Sequence, residues 1–421
     1  MKQIPSGYSL VRLGPADLRD AVEVDLWAFP AVETVDEMAA HRLSLPFDRA
    51  LGCRADDGQL AALCSAHTFV DFPVPGHQIA AGGFTWMAVH PEHRRRGLAS
   101  ALINRHLADC AERGEAISAL IASEPEIYGR FGYGTATWGY TLSLARRADL
   151  VALDQSGIDV TFETLDPEVH AGLVHDLHRA AAGQGDLIRP GWVSRTDVEA
   201  ERTFLTRTSN HRRGLEPSRI ALAWRGSEPV GYAVFARKEL GWTDGRPDSK
   251  VMLSEIAYLD RAVAYALWSR LLDMDLTAGV MAHLVTPSDA IFGLLVNLSA
   301  AQPRLADTVW LRLVNVAQAL AARRYQSPVD LVIQVEDSVL PANSGKYHLT
   351  AAAFSQATVD KTSAPADLIA DSRALAAAYL GGTPLTSLAS SGRVSELTPG
   401  ALARAGAAFG WPVPASTSWI F

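Results

Sequence analysis

The chain has 421 residues, which at about 100–200 residues per domain makes two to four domains. Hydrophobic residues are 48% of it, so each domain can bury a core, yet the longest apolar runs, 220–224 and 374–380, fall far short of the ~18–20 residues of a membrane-spanning helix. A net charge of −8 opposes the basic footprint of a phosphate-backbone binder, so neither a membrane nor a nucleic acid is an expected partner. The first ten residues lack the apolar run of a secretory leader, which makes the cytoplasm the expected address. Cys53, Cys64 and Cys110 are odd in number and lack C-x-x-C spacing, and they read as small buried hydrophobes.

In chain order, amphipathic stretches at 15–27 and 33–43 predict helices. Strands follow at 50–55 and 59–70, joined by Asp57-Gly58, a hairpin dipeptide because both positions tolerate positive φ. A Pro/Gly loop at 72–76 leads to a strand at 78–89, a helix at 97–113, a strand at 117–122, a short helix near Glu126 and a last strand at 138–144. A related order then returns: strands at 219–224 and 230–238, a strand at 251–259, a helix at 261–274, a strand at 279–285 and a helix at 287–298. This repetition predicts an internal duplication. From 301 onward the pattern changes to a strand at 307–314, a helix at 316–325, β-rich runs at 329–335, 345–352 and 355–359, helices at 372–380 and 399–409, and a Pro-containing tail. The expected domains are 1–150, 151–300 and 301–421, all of mixed α/β class.

Chemistry concentrates in FTWMAVHPEHRRRGLA, residues 84–99. A β-run ends at Val89, a turn follows, and Arg94, Arg95, Arg96 and Gly97 enter a helix. First-turn N–H groups lack intrahelical partners and sit at the positive end of the helix dipole, which makes them a site for phosphate oxygens. Gly97 would let a pyrophosphate approach the backbone, and the arginines would add charge-assisted donors. In the second repeat the corresponding place reads Asp260-Arg261-Ala262-Val263-Ala264, where an Asp would occupy the anion position itself. His90 and His93 read as solvated turn residues and no H-E-x-x-H occurs, so no metal is expected; without a G-x-S-x-G elbow, triad hydrolysis is disfavoured.

The arginines, Gly97 and a small residue, placed after the third strand of a hairpin-led sheet, resemble the acetyl-CoA-binding motif of the GCN5-related N-acetyltransferases. IYGRFGY at 127–133 resembles the motif that follows the next strand in that family. Over the whole length, an intact acetyltransferase domain, a degenerate second copy and an α/β third domain similar to sterol carrier proteins resemble the enhanced intracellular survival family of aminoglycoside N-acetyltransferases. The resemblance implies acetyl-CoA as cosubstrate, held by Met87, Ala88 and Val89 on a splayed strand, by Arg94, Arg95, Arg96, Gly97, Leu98 and Ala99 at the turn, and by Ser123. It places Tyr128 beside the thioester sulfur, where a phenol of reference pKa ~10 can protonate the departing thiolate. Phe131 and Tyr133 read as core residues. It also implies that Phe421 donates its α-carboxylate as base from a tail, Trp419-Ile420-Phe421, docked in the active site, and that the protein forms a homo-oligomer, a hexamer.

The expected function is acetyl transfer to a primary amine of a polycationic small molecule, aminoglycoside-like. The acidic segment 23–37 would suit such an acceptor, with Asp25 and Trp27 as the residues touching it, although a solvated helix face explains the same charges. Two rivals share the sequence features: a protein lysine Nε-acetyltransferase, and a non-catalytic lipid or metabolite carrier built on the third domain.

Overall fold

The computed structural model describes residues 4–29, 31, 33–40, 45–183, 185–210, 214–238 and 240–421, so the end of the helix expected at 33–43 lies outside the described residues. The hairpin at Asp57-Gly58 forms as its sequence dictates: Gly58 takes φ +88°, and the Asp57 carboxylate accepts the N–H of Gln59 at 3.0 Å. Around it lie β1 (Tyr8–Arg12), β2 (Leu51–Ala55), β3 (Leu60–Val74), β4 (His77–Val89), β5 (Ile117–Ile121) and β6 (Gly134–Thr135). Four helices intervene, α1 (Leu18–Ala28), α2 (Val35–Ala40), α3 (Leu98–Glu112) and α4 (Pro125–Tyr128).

The chain continues through β7 (Trp138–Ala145), β8 (Ile158–Thr164), α5 (Pro167–Ala181), α6 (Val198–Asn210), β9 (Arg219–Arg225) and β10 (Glu228–Lys238). A small ribbon, β11 (Trp242–Thr243) and β12 (Arg246–Pro247), precedes β13 (Lys250–Tyr258), α7 (Arg261–Leu272), β14 (Gly279–Val285), β15 (Arg304–Asp307) and β16 (Val309–Leu313). The helix expected at 287–298 shortens to Ile291–Leu294, because Pro287 and a turn closed by Asp289 delay its start. The last unit is a five-stranded sheet of β17 (Val329–Glu336), β18 (Gly345–Ala351), β19 (Thr358–Lys361), β20 (Leu368–Asp371) and β21 (Val394–Glu396). No helix among the described residues is long and apolar enough to cross a membrane.

The first sheet has the order β1-β2-β3-β4-β5-β16-β6 and the second β15-β7-β14-β13-β10-β9-β8. Sheet membership therefore departs from the expected division at 150 and 300. The strand expected to close the first unit, at 138–144, lies in the second sheet, and the run expected as one strand at 307–314 is interrupted at Thr308: β16 after it joins the first sheet, and β15, which starts earlier at Arg304, joins the second. The cause is one antiparallel ladder, which pairs β16 with β6 and β15 with β7 and passes from sheet to sheet. At its crossing, the Thr137 and Thr308 hydroxyls meet at 2.6 Å and Val309 donates its N–H to Thr137 Oγ1 at 2.9 Å.

Buried charges tie the layers together. Arg49 donates both guanidinium arms to Glu115 at 2.6 and 2.9 Å behind the first sheet. Arg312 on β16 meets Asp337 of the third unit, both side chains fully buried. Arg323 donates to the carbonyls of Tyr379 and Phe409, which closes the third unit's core. The tail at 410–421 runs back over all three units: Ser416 N–H bonds Pro190 O and the Trp419 indole donates to Val193 O at 2.7 Å.

Candidate active site

β4 and β5 are parallel partners only from Ala81↔Ile117 to Gly83↔Ala119, and beyond this they part. A bulge drives the parting: Trp86, at φ +55°, and Met87 together oppose the single residue Cys64 of β3, so β4 bends toward β3 and away from β5. His90 N–H bonds Ala61 O, so strand alternation turns the N–H of Val89 to the opposite edge, into the opening. Met87 and Val89 are half-buried along it, whereas the Ala88 side chain packs into the core under α1. The gap offers unpaired backbone donors to an extended ligand with amide groups, as a pantetheine arm has.

At the mouth of this gap the chain turns into α3. Gly97 is the N-cap residue at φ +90° and has no side-chain acceptor, so the first N–H groups of the helix, from Leu98 and Ala99 on, have no protein cap. Arg95 also takes a left-handed φ, +61°, and Arg94, Arg95, Arg96 and Gly97 are all exposed around the helix start. Arg96 is already engaged: it donates to the Tyr8 hydroxyl at 2.8 Å and to Glu92 O at 3.0 Å. The Leu98 side chain is core, and Ser123 is exposed just beyond β5. His90 and His93, expected to be solvated, are buried. The Tyr8 hydroxyl and Gln59 take the two ring nitrogens of His93, the N–H of Glu92 takes Nδ1 of His90, and these bonds close the turn.

The two faces of β4 carry different chemistry. A side chain at Gly82 would meet Cys110 of α3, and one at Gly83 would run into Phe69 at 2.3 Å on the opposite face. On the α3 face Phe84 packs edge-to-face on Tyr128, with centroids 6.4 Å apart, and Tyr133 supports Tyr128 from behind at 6.0 Å. Phe131 and Tyr133 are buried core residues. Burial pushes the Tyr128 phenol up to about 12, so it holds its proton firmly. Beneath it Ser118 bridges His106 Nε2 at 2.7 Å and the Tyr133 hydroxyl at 2.8 Å, a polar chain within the apolar layer.

On the other face lies the tail. Phe421 packs edge-to-face on Phe69 at 5.1 Å, and Trp419 touches both rings. Trp419 also receives the Arg195 guanidinium at 5.3 Å over its ring. Arg195 is locked bidentate to Glu201 and Glu255, and His178 Nε2 bonds the Ser418 hydroxyl at 2.7 Å. Sequence reasoning missed this seat, because Phe69 on β3, His178 on α5 and Arg195 in a loop converge on the tail from more than 200 residues away. Tyr128 and Phe421 therefore lie on opposite faces of the first sheet, Tyr128 against Phe84 and Phe421 against Phe69.

Trp27 is 57% exposed and packs edge-to-face on His90 at 5.3 Å, at the end of β4, and Asp25 is half-buried on the same helix. The acidic segment is less available than its composition implied. Asp36 pairs with Arg19, and Glu37 forms a capping box in which its carboxylate accepts the N–H of Thr34 at 2.8 Å.

The second repeat keeps the strand pair but closes the helix start that the first leaves uncapped. Asp260 caps α7 through its own carboxylate, which accepts the N–H groups of Ala262 and Val263 at 2.9 and 3.1 Å. A pyrophosphate would have to displace it.

Profiles of the acetyltransferase (GNAT) domain match residues 10–136 and 191–313, and a sterol carrier protein domain profile matches 316–418. Fold and site thus define a tandem GCN5-related N-acetyltransferase with a sterol-carrier-like third unit. An uncharacterized N-acetyltransferase of Streptomyces coelicolor is 35% identical over 384 residues, 90% of this chain and 91% of that one. N-acetyltransferase Eis of Mycobacterium tuberculosis is 29% identical over 399 residues, 92% of each. The crystal structure of Eis1 from Mycobacterium abscessus superposes with a TM-score of 0.80 at 26% identity, covering 98% of this chain and all of the other. The chain belongs to the Eis family of N-acetyltransferases, and the reading as a non-catalytic carrier falls away.

Proposed function

We propose that the protein transfers an acetyl group from acetyl-CoA to a primary amine of a polycationic small molecule, aminoglycoside-like in its spacing of amines. The observation that supports this reading is that Tyr128 packs on Phe84 at one face of the first sheet while the tail packs on Phe69 at the other. The opening receives the pantetheine arm, with Val89 N–H as oxyanion donor, and the uncapped start of α3 with Arg94 and Arg95 receives the pyrophosphate. The neutral amine attacks the thioester carbon from the Phe421 face, and holding both reactants together supplies much of the rate. Its proton passes to the Phe421 α-carboxylate, through water where the pKa gap is too wide for direct transfer, and Tyr128 returns a proton to the departing sulfur. Asp25 and Trp27 hold the acceptor's remaining amines and rings, and the assembly is a hexamer.

A panel of aminoglycosides, simple polyamines and lysine peptides, assayed for CoA thiol release, tests this. The highest kcat/KM is expected among the aminoglycosides. A lysine peptide that outperforms all of them would move the enzyme to protein acetylation, and a panel without turnover would overturn the substrate class.

A further inference from the structure

The second sheet retains the opening that the first uses, and the groups around it are not those of a filled-in relic. β13 and β14 pair only from Lys250↔Gly279 to Leu253↔Ala282. Beyond this β14 is bent by Leu284 at φ +55°, and its register on β7 shifts between Ala282 and Val285. A pocket lies in this second opening, with Arg189, Trp192, Tyr258, Thr286 and Ser418 in its wall.

Its polar groups are unevenly satisfied. Glu255 is matched by Arg195 at 2.8 and 2.9 Å and by the Tyr232 hydroxyl at 2.7 Å. Asp289 accepts the Ile291 N–H at 2.8 Å and the Trp268 indole at 3.2 Å, and burial pushes its carboxyl up toward the neutral form. Arg189 has no such match. Its guanidinium lies over the Trp192 ring at 4.8 Å and its Nε is buried without a hydrogen-bond partner, while the neighbouring Asp289 carboxyl acts on it through charge alone, with no ion pair between the two. Thr286 is 6% exposed and its hydroxyl is likewise buried without a partner. A half-buried cation with an unmatched Nε and an idle buried hydroxyl in the same pocket wall are costly unless a ligand meets them.

We propose that this second opening is a binding site for a small carboxylate, seated by the Arg189 guanidinium and the Thr286 hydroxyl. Coenzyme A is excluded as occupant because the Asp260 carboxylate holds the N-terminus of α7. The apolar wall of Leu253, Ile256 and Val285 suits a short aliphatic or acylamino body, and the unpaired edge of β13 beyond Leu253 can bond an amide. Ser418 joins the same wall to the tail that carries Phe421.

The test uses the full chain, titrated with N-acetylglycine, with its neutral twin N-acetylglycinamide and with inorganic phosphate, read by calorimetry and by tryptophan fluorescence. Saturable binding of one N-acetylglycine per chain is expected, at least tenfold weaker for the amide and for Arg189→Gln, with acetyl-CoA affinity unchanged in that variant. Thr286→Val, close in shape, should weaken N-acetylglycine several-fold and serves as the deciding variant if Arg189→Gln does not fold. No saturable binding of N-acetylglycine would mean that water alone satisfies these groups and would overturn the site. Equal binding by acid and amide, unchanged affinity in either folded variant, or preference for phosphate would overturn the carboxylate assignment.

Discussion

At Tyr128 one side chain meets two demands in the proposed reaction: its ring completes an apolar layer, and its phenol would supply the proton for the departing thiolate. Phe84 and Tyr133 hold the ring, and the desolvation that accompanies them pushes the phenol up to about 12. Tyr128→Phe keeps the packing and removes the proton, so kcat should fall by ~10²–10⁴ while acetyl-CoA affinity stays within about twofold, as single-turnover and equilibrium titrations would show. Because the phenol stays protonated well above pH 10, the alkaline side of the kcat profile should show no loss near pH 10, where an ordinary tyrosine titrates; a loss there would remove Tyr128 from the role of acid. Gly97 is a backbone matter. A Cβ there would find its nearest neighbour 3.7 Å away, so space is not the constraint; the φ of +90° is. Gly97→Val should therefore distort the start of α3 and weaken acetyl-CoA binding at least tenfold, measured by calorimetry, with the far-UV spectrum preserved.

The element that most shapes the site is β4, and α3 is the element that braces it. His106 faces the sheet from α3, and burial pushes its imidazole down to about 3, helped by the nearby Arg49 charge. The folded protein thus resists protonating a group that the unfolded chain protonates near pH 6.5, so its stability falls as pH drops below that value. At pH 5 the loss is about 2 kcal/mol. Denaturant unfolding of wild type and His106→Gln at pH 7 and pH 5 isolates it: the variant, less stable at pH 7 for want of the Ser118 bond, should recover about 2 kcal/mol relative to wild type at pH 5. A constant difference would show that His106 titrates normally. The strand-turn-helix sequence of 84–99 was legible from its residues, as were the Asp57-Gly58 hairpin and the Asp260 cap, because each is set by neighbours within a few positions. The bulge at Trp86 was not legible, since nothing local distinguishes a residue that will oppose Cys64 together with Met87 from one that continues the ladder.

For the whole molecule, the tail is the decisive connection. It crosses from the third unit to the junction of the first two, where Trp419 and Phe421 complete an aromatic cluster on Phe69 and Ser418 reaches His178. Removing Phe421, or extending the chain past it with a purification tag, should lower kcat strongly with little change in melting temperature or acetyl-CoA affinity. Full activity of the extended protein on its best amine would send the search for the base to Glu23, Asp25 and His90.

The sequence by itself determined the two acetyltransferase units and the Asp260 cap that closes the helix start of the second, because periodicity, capping and turn chemistry act over short distances, whereas the roles proposed for Tyr128, Arg94–Arg96 and Gly97 came from the family resemblance. It left the acidic segment at 23–37 ambiguous, and the contacts of Asp36 and Glu37 show why: charge composition does not reveal which carboxylates a helix uses for its own cap and ion pairs. Only the tertiary structure decided which strand belongs to which sheet and where the tail rests. Those outcomes depend on pairings such as Thr137 with Thr308 and Phe69 with Phe421, in which residues far apart in the chain compete for partners, and the winner is set by the area and polar groups buried together when all three units close.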